Sequence, residues 1–229
     1  MLYCENRENE AAKGESTVDI RRIDSYRDPR FSQAVLNQHG AYLVDGEPYE
    51  LEITGPDRAV VRGGNRDAFP ELIEAFRFHA PHIVRFTDEQ GSSLARFPWP
   101  EVLDLPLTLI QPSQFYVDRE KLAAVETFLS GWEDVIIQAL PWEGRYIAVD
   151  GHTRLYWAAR QGIEHVYAVI SETDDWVWTF VNEARARGIY QPGDMKLLDH
   201  EEYEILWDRY CDAVFAGKEE EKTATFHPV

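Results

Sequence analysis

Cysteine is almost missing. The chain holds two, Cys4 and Cys211, among 229 residues. They are too few and too far apart for a disulfide framework or for paired metal-ligand spacing. That usage fits a reducing compartment. Basic charge is also short, with 23 Lys and Arg against 41 Asp and Glu and a formal net charge of −18. No part of the chain is basic, which argues against a broad electrostatic grip on nucleic acid and leaves room only for a small local basic pocket. No apolar run nears the roughly 18 residues of a membrane span, and the opening MLYCENRENE lacks the basic and apolar regions of a secretory leader. A soluble cytoplasmic protein is therefore expected. Also missing are a Walker A loop, GxGxxG, GxSxG and HExxH.

What is present is enough apolar material for a core: 44% of residues are hydrophobic and 13% aromatic, with 7 Trp. Disorder of the whole chain is excluded. Residues 1–30 read as a polar arm with a short strand at 18–23. Residues 31–97 read as a small α+β subdomain. It begins with a short helix at 32–36. Strands at 41–44 and 49–53 are joined across Asp45-Gly46, a strong hairpin signal, and a third strand covers 59–62. Asp67 as N-cap and Pro70 in the first turn open a helix at 69–79, with Leu72, Ile73 and Phe76 on its apolar face. Two further strands follow at 82–87 and 93–97. His79-x-x-His82 is interrupted by Pro81 and has no supporting ligand nearby, so it reads as the polar end of that helix rather than a metal pair. Prolines 98, 100 and 106 mark a linker at 98–106.

Residues 107–170 read as a compact α/β core. It has strands at 107–110, 135–140, 145–149 and 165–170. Its helices are at 119–129, capped by Asp118, and from the 150–154 turn to Gln161, stopped at Gly162. A C-terminal helical extension at 171–217 carries helices at 176–187 and 201–216, ended by Gly188 and Gly217, and 218–229 reads as a flexible tail. The last helix is too apolar to stand free, so part of it docks on the core or on a protein partner. The fold class expected is α/β (α+β).

The sharpest chemical feature is Asp150-Gly151-His152-Thr153-Arg154, where a β-rich segment meets the first turn of a helix. Free amides and the helix dipole attract an anion there. Gly151 lets a phosphate approach the backbone, Thr153 offers a hydroxyl, and Arg154 offers a bidentate fork. His152 can pair with phosphate or move a proton. Asp150 can hold a metal ion or take a proton from a hydroxyl. The bland alternative is a capped helix start with Arg154 and His152 on a solvated face. A cation in a helix's first turn is disfavoured by the dipole, so Arg154 needs either an anionic ligand or an internal carboxylate, Asp150 being the nearest. The turn is expected to line a pocket. Trp178 is a candidate pocket wall able to stack on a base, although packing of the added helix explains it too.

Residues 107–170, from LTLIQPSQFYVDREKL to DGHTRLYWAARQGIEHVYAVI, resemble the ParB/sulfiredoxin-like superfamily. The resemblance covers a quarter to a third of the chain. Its closest branch is the free-serine kinases, whose turn reads Asp-Gly-His-His-Arg; Thr153 replaces the second His. The resemblance implies nucleotide binding, with ATP or ADP and Mg²⁺ as the candidate cofactors, and phosphoryl transfer to a small metabolite. Asp150 and His152 would be catalytic, Asp150 would also hold the metal, and Gly151, His152, Thr153 and Arg154 would hold phosphate. The Glu that the branch carries after its first strand is replaced by Gln114, which cannot act as a base; Glu120 is one substitute. The turn's missing cysteine excludes sulfinic-acid repair. Beside the kinase-like reading stand a non-catalytic nucleotide-sensing or protein-interaction module and, against the charge, a ParB-like nuclease or DNA-binding protein.

Overall fold

The computed structural model describes residues 18–224, with side chains described through residue 217; the expected arm over 1–17 and the tail beyond 224 lie outside them. The fold is α+β. Its first sheet has six strands in sequence order: β1 (Ile20–Arg22), β2 (Ala41–Val44), β3 (Glu47–Gly55), β4 (Arg58–Arg62), β5 (Arg85–Thr87) and β6 (Ser93–Arg96). All pairs are antiparallel except β4–β5. The β2–β3 turn holds Asp45 at φ 51° and Gly46 at φ 84°, the paired positive values that a two-residue hairpin with native twist demands.

Helix α1 (Gln33–Asn37) covers one face of this sheet through Phe31, Val35 and Leu36 against Ala41 and Leu43. Helix α2 (Phe69–His79) covers the other, burying Phe69, Leu72, Ile73 and Phe76 against Tyr42, Leu51, Val61 and Phe86. Positions i, i+3, i+4 and i+7 fall on one helical face, so this stripe faces the sheet. The residue capping the entry to α2 is Asn65, whose side chain accepts the Asp67 N–H at 3.0 Å. Asp67 lies inside the preceding 3₁₀ turn and is not the N-cap.

The second sheet has the order β7-β12-β10-β11-β8, with β7 (Val102–Pro106), β8 (Ile110–Pro112), β10 (Ile136–Trp142), β11 (Arg145–Asp150) and β12 (His165–Ile170). Strand β7 occupies most of the expected linker, because Leu103 and Leu105 pair antiparallel with Ala168 and Val166. Residues 107–109 form a 3₁₀ turn rather than a strand. Strand β9 (Tyr116–Asp118) leads into α3 (Arg119–Val125), which Asp118 caps by accepting the Glu120 N–H at 2.8 Å. Helix α4 (His152–Arg160) joins β11 to β12, and α5 (Trp176–Ala186) follows β12.

A short strand β13 (Lys196–Leu198) pairs parallel with β9. Then α6 (His200–Tyr203), a π-helical turn (Glu204–Asp208) and α7 (Arg209–Ala224) run on in sequence. Gly217 does not stop this helix: the backbone continues to Ala224. The apolar residues of this segment dock on the core. Phe180 of α5 meets Trp207 at 5.7 Å and Phe215 at 5.8 Å, ring centre to ring centre, and Phe115 meets Trp207 at 4.7 Å. No helix among the described residues is long and apolar enough to cross a membrane.

The two sheets meet along a polar seam. The Gln138 amide of β10 donates to the Phe78 carbonyl at the end of α2 at 3.0 Å. Asn37 donates to the Thr127 hydroxyl at 3.0 Å, and Arg27 pairs with Glu120. An open cleft of about 1990 Å³ runs along the first sheet and α2, and reaches Asp118, Lys121 and Tyr203 of the second unit.

Candidate functional site

Strand β11 ends at Asp150, and the chain turns into α4 through Gly151 at φ 88°. A side chain there is strained by the dihedral alone, and its Cβ would come within 2.8 Å of Ile137. Glycine is therefore a requirement of the turn itself. The first helical hydrogen bond runs from the Leu155 N–H to the Gly151 carbonyl at 2.9 Å. The amides of His152, Thr153 and Arg154 thus have no partner within the helix ladder.

Arg154 finds its counter-charge inside the turn. Its Nη2 donates to Asp150 Oδ2 at 3.2 Å, and both side chains are half-buried. Burial alone would raise the Asp150 pKa, but the Arg154 charge above all, with the Gly151 N–H, outweighs it and holds the carboxyl below its ordinary range. Asp150 is therefore a carboxylate at neutral pH. His79 and His82 lie close enough on the seam to feel its charge, and burial pulls both imidazoles down to about 3, so they are neutral.

His152 points inward. It is 3% exposed, and its Nε2 accepts the Ser113 N–H at 3.2 Å. That bond assigns the proton of the neutral ring to Nδ1. Ser113 in turn donates its hydroxyl to the Ala148 carbonyl at 2.7 Å. Burial lowers the His152 pKa to about 3. The residue expected to contact phosphate or move a proton is thus engaged in holding the end of β8 against β11. The solvated face that the bland alternative offered does not describe it either.

The remaining expected site residues are dispersed. Thr153 is half-buried beside Arg154. Gln114 is buried, with its amide donating to the Tyr116 carbonyl and, at 3.1 Å, to the Tyr203 hydroxyl. Glu120 bridges the seam to Arg27. Trp178 lies edge-on to Trp142 at 5.9 Å, while its neighbour Trp176 is buried against Phe180 and Phe215; both pack α5 on the core. Among the described residues no group of three or more His, Cys, Asp or Glu side chains is arranged to hold a metal ion. Asp150 alone is a carboxylate that could share Mg²⁺ with a ligand's phosphates, the usual manner for that ion. Asp150, Gly151, His152, Thr153 and Arg154 are not among the residues lining the large cleft.

Residues that sequence reasoning passed over stand along the seam. Arg22 is 5% exposed, its Nε donating to Asp24 Oδ1 at 2.9 Å. His39, at φ 55°, accepts from or donates to the Tyr26 hydroxyl through Nε2 at 2.8 Å. Strand alternation was the signal for Arg22: its register partner is the core residue Tyr42.

No family model matches the chain, and no curated protein matches it. Among solved structures, protein Atu1540 from Agrobacterium tumefaciens is similar at 14% identity, over 42% of this chain and 62% of that one, with a TM-score of 0.30. The chain spans less than two thirds of that structure's length. A superposition so loose carries no functional argument.

Proposed function

We propose that this chain is a nucleotide-binding protein of the ParB/sulfiredoxin-like type, and that it takes phosphate at the 150–154 turn as a ligand-sensing module. One observation carries the reading: Gly151, left-handed at φ 88°, sets the first-turn amides of α4, which have no partner in the helix ladder, beside the half-buried guanidinium of Arg154. Amides at a helix start and a cation in fork geometry suit a phosphate. Arg154's pairing with Asp150 does not consume its whole fork, since one nitrogen makes that contact. The strong acid excess makes nucleic acid the less suitable partner, and the sparse cysteines suit the cytoplasm.

A phosphotransferase acting on a small metabolite is the second reading, and one observation favours it: Asp150 is held ionised and half-buried at the turn. It would orient an acceptor hydroxyl or share Mg²⁺ with the nucleotide. The position of Gln114 weighs on the other side, because its amide is already engaged within the core. Thermal melts with ATP, ADP and GTP, each with and without Mg²⁺, test the proposal. A cognate nucleotide at 100 times its Kd adds about 2.7 kcal/mol. No shift with any of them would remove the nucleotide reading. Turnover of the stabilising nucleotide in the presence of candidate metabolites would select the second reading over the first.

A further inference from the structure

A second pair of donors lies on the first sheet, with Arg22 near enough to the Gly151 turn to feel the Asp150 charge. Arg22 and Tyr42 are register partners across β1 and β2, so their side chains leave the same face of the sheet. Both residues line the large cleft, and both are deeply buried, at 5% and 2% exposure. Arg22 gives Nε to Asp24, but its Nη2 has no hydrogen-bond partner, and neither has the Tyr42 hydroxyl. A buried donor without an acceptor has lost its water and gained nothing in return, so two on adjacent positions call for a reason. Both unpartnered groups can donate, and of the two carboxylates whose charge reaches Arg22, Asp24 is already shared between Arg22 and the His39 ring and Asp150 is paired with Arg154.

We infer that Arg22 and Tyr42 form an oxyanion site in the cleft, where the free edge of the guanidinium and the phenol O–H converge on a carboxylate or phosphate oxygen of a small ligand. An oxyanion is acceptor-only, which is the complement of two donors. Arginine's planar fork binds it with one edge while the other keeps Asp24. The site belongs to the first sheet and gives that unit a ligand of its own. It stands whether or not the Gly151 turn binds nucleotide.

Tyr42→Phe is the decisive variant, because it deletes one donor and keeps the ring that packs under α2. Removal of Arg22 would instead strand Asp24 and risk the fold. Inorganic phosphate and acetate are titrated separately into the full chain, wild type and Tyr42→Phe, and followed by residue-resolved NMR. The expected result is a saturable shift at the Arg22 side-chain N–H and at the amides of 20–24 and 42, weakened roughly 5- to 10-fold in Tyr42→Phe, as for loss of one hydrogen bond to a charged group. Saturation by phosphate alone identifies a phosphate site, and by acetate a carboxylate site. The ligand-free variant should melt no lower than wild type, since the hydroxyl it loses had no partner. Absence of saturation with both anions, equal affinity in the variant, or a lowered melting temperature would each overturn the inference. Arg22 feels the Asp150 charge, so the sites are separated by variant: Arg154→Ala removes the fork of the Gly151 turn and should leave anion saturation at 20–24 and 42 intact, whereas its loss there would overturn the inference.

Discussion

The two units of this molecule differ in how completely they partner their buried polar groups. In the second unit, Gln111, Ser113, Gln114, Asp118 and His152 are all deeply buried and all hydrogen-bonded: Gln111 to the Ile189 carbonyl, Ser113 to Ala148 and His152, Gln114 to Tyr203, and Asp118 to Glu120 and His200. In the first unit Asn37 and Asp88 are also bonded, but Arg22 Nη2 and the Tyr42 hydroxyl are left without partners. Trp207 Nε1 is the exception on the second side. A satisfied network fixes β8, β9 and β11 in register, whereas orphaned donors leave binding capacity unused. The second unit's polar groups hold the fold of the Gly151 turn, and the proposed oxyanion site rests on the two donors of the first unit that no partner occupies.

That contrast predicts unequal costs for removing polar groups. Asp118→Ala should be the most damaging, by about 2–4 kcal/mol, because it removes the cap of α3 and orphans its contact with His200. Urea denaturation measures it; a cost under about 1 kcal/mol would mean that the second unit's network is not holding the fold. His152→Leu should cost about 1–3 kcal/mol by leaving the Ser113 N–H without its acceptor.

The same variant should change the pH profile. His152 is neutral when folded, with its pKa down to about 3, against roughly 6.5 when unfolded. Above about 6.5 both states are neutral and its contribution is level. As pH falls from there toward 3 the unfolded state takes up the proton first, so stability falls, by about 1.4 kcal/mol per pH unit for one such group. His79 and His82 act in the same direction. His152→Leu should flatten this acid slope measurably; an unchanged slope between pH 6 and 4 would show that His152 is not held neutral. Tyr42→Phe stands at the other end, with no loss of stability or a gain of up to about 0.5 kcal/mol, as expected where a hydroxyl has no partner.

Local pairings were legible in the sequence, and long-range ones were not. The hairpin at Asp45-Gly46, the helix at Phe69–His79 and the strand at His165–Ile170 follow from signals within a few residues of each. The first sheet is in sequence order, so such signals nearly suffice there. The second sheet is not. Val102–Pro106 looks like a proline-marked linker until β12 supplies its partner some 60 residues later. Likewise β9 forms only because β13 arrives beside it. Gly217 reads as a stop, but the helix that Trp207, Tyr210 and Phe215 anchor on Phe180 continues past it to Ala224. At the candidate site, the strand-to-helix junction at Gly151 was visible in the turn's own residues. The inward engagement of His152 and Gln114 was not, since Ser113 and Tyr203 are 39 and 89 residues away. Arg154's choice between ligand and internal carboxylate was posed by the helix dipole, and the Asp150 contact gives it an internal partner.

Melting of wild type and Arg154→Ala, each with and without the nucleotide that stabilises wild type best, tests the binding site most directly. Arg154 meets Asp150 through one nitrogen at 3.2 Å, so its loss should cost the ligand-free protein no more than about 1–2 kcal/mol. Its affinity for nucleotide should fall by about 1.5–3 kcal/mol, the range for hydrogen bonds to a charged group. A variant that binds nucleotide as tightly as wild type, or one that loses several kcal/mol without ligand, would make Arg154 a purely architectural residue and contradict a phosphate site at the Gly151 turn.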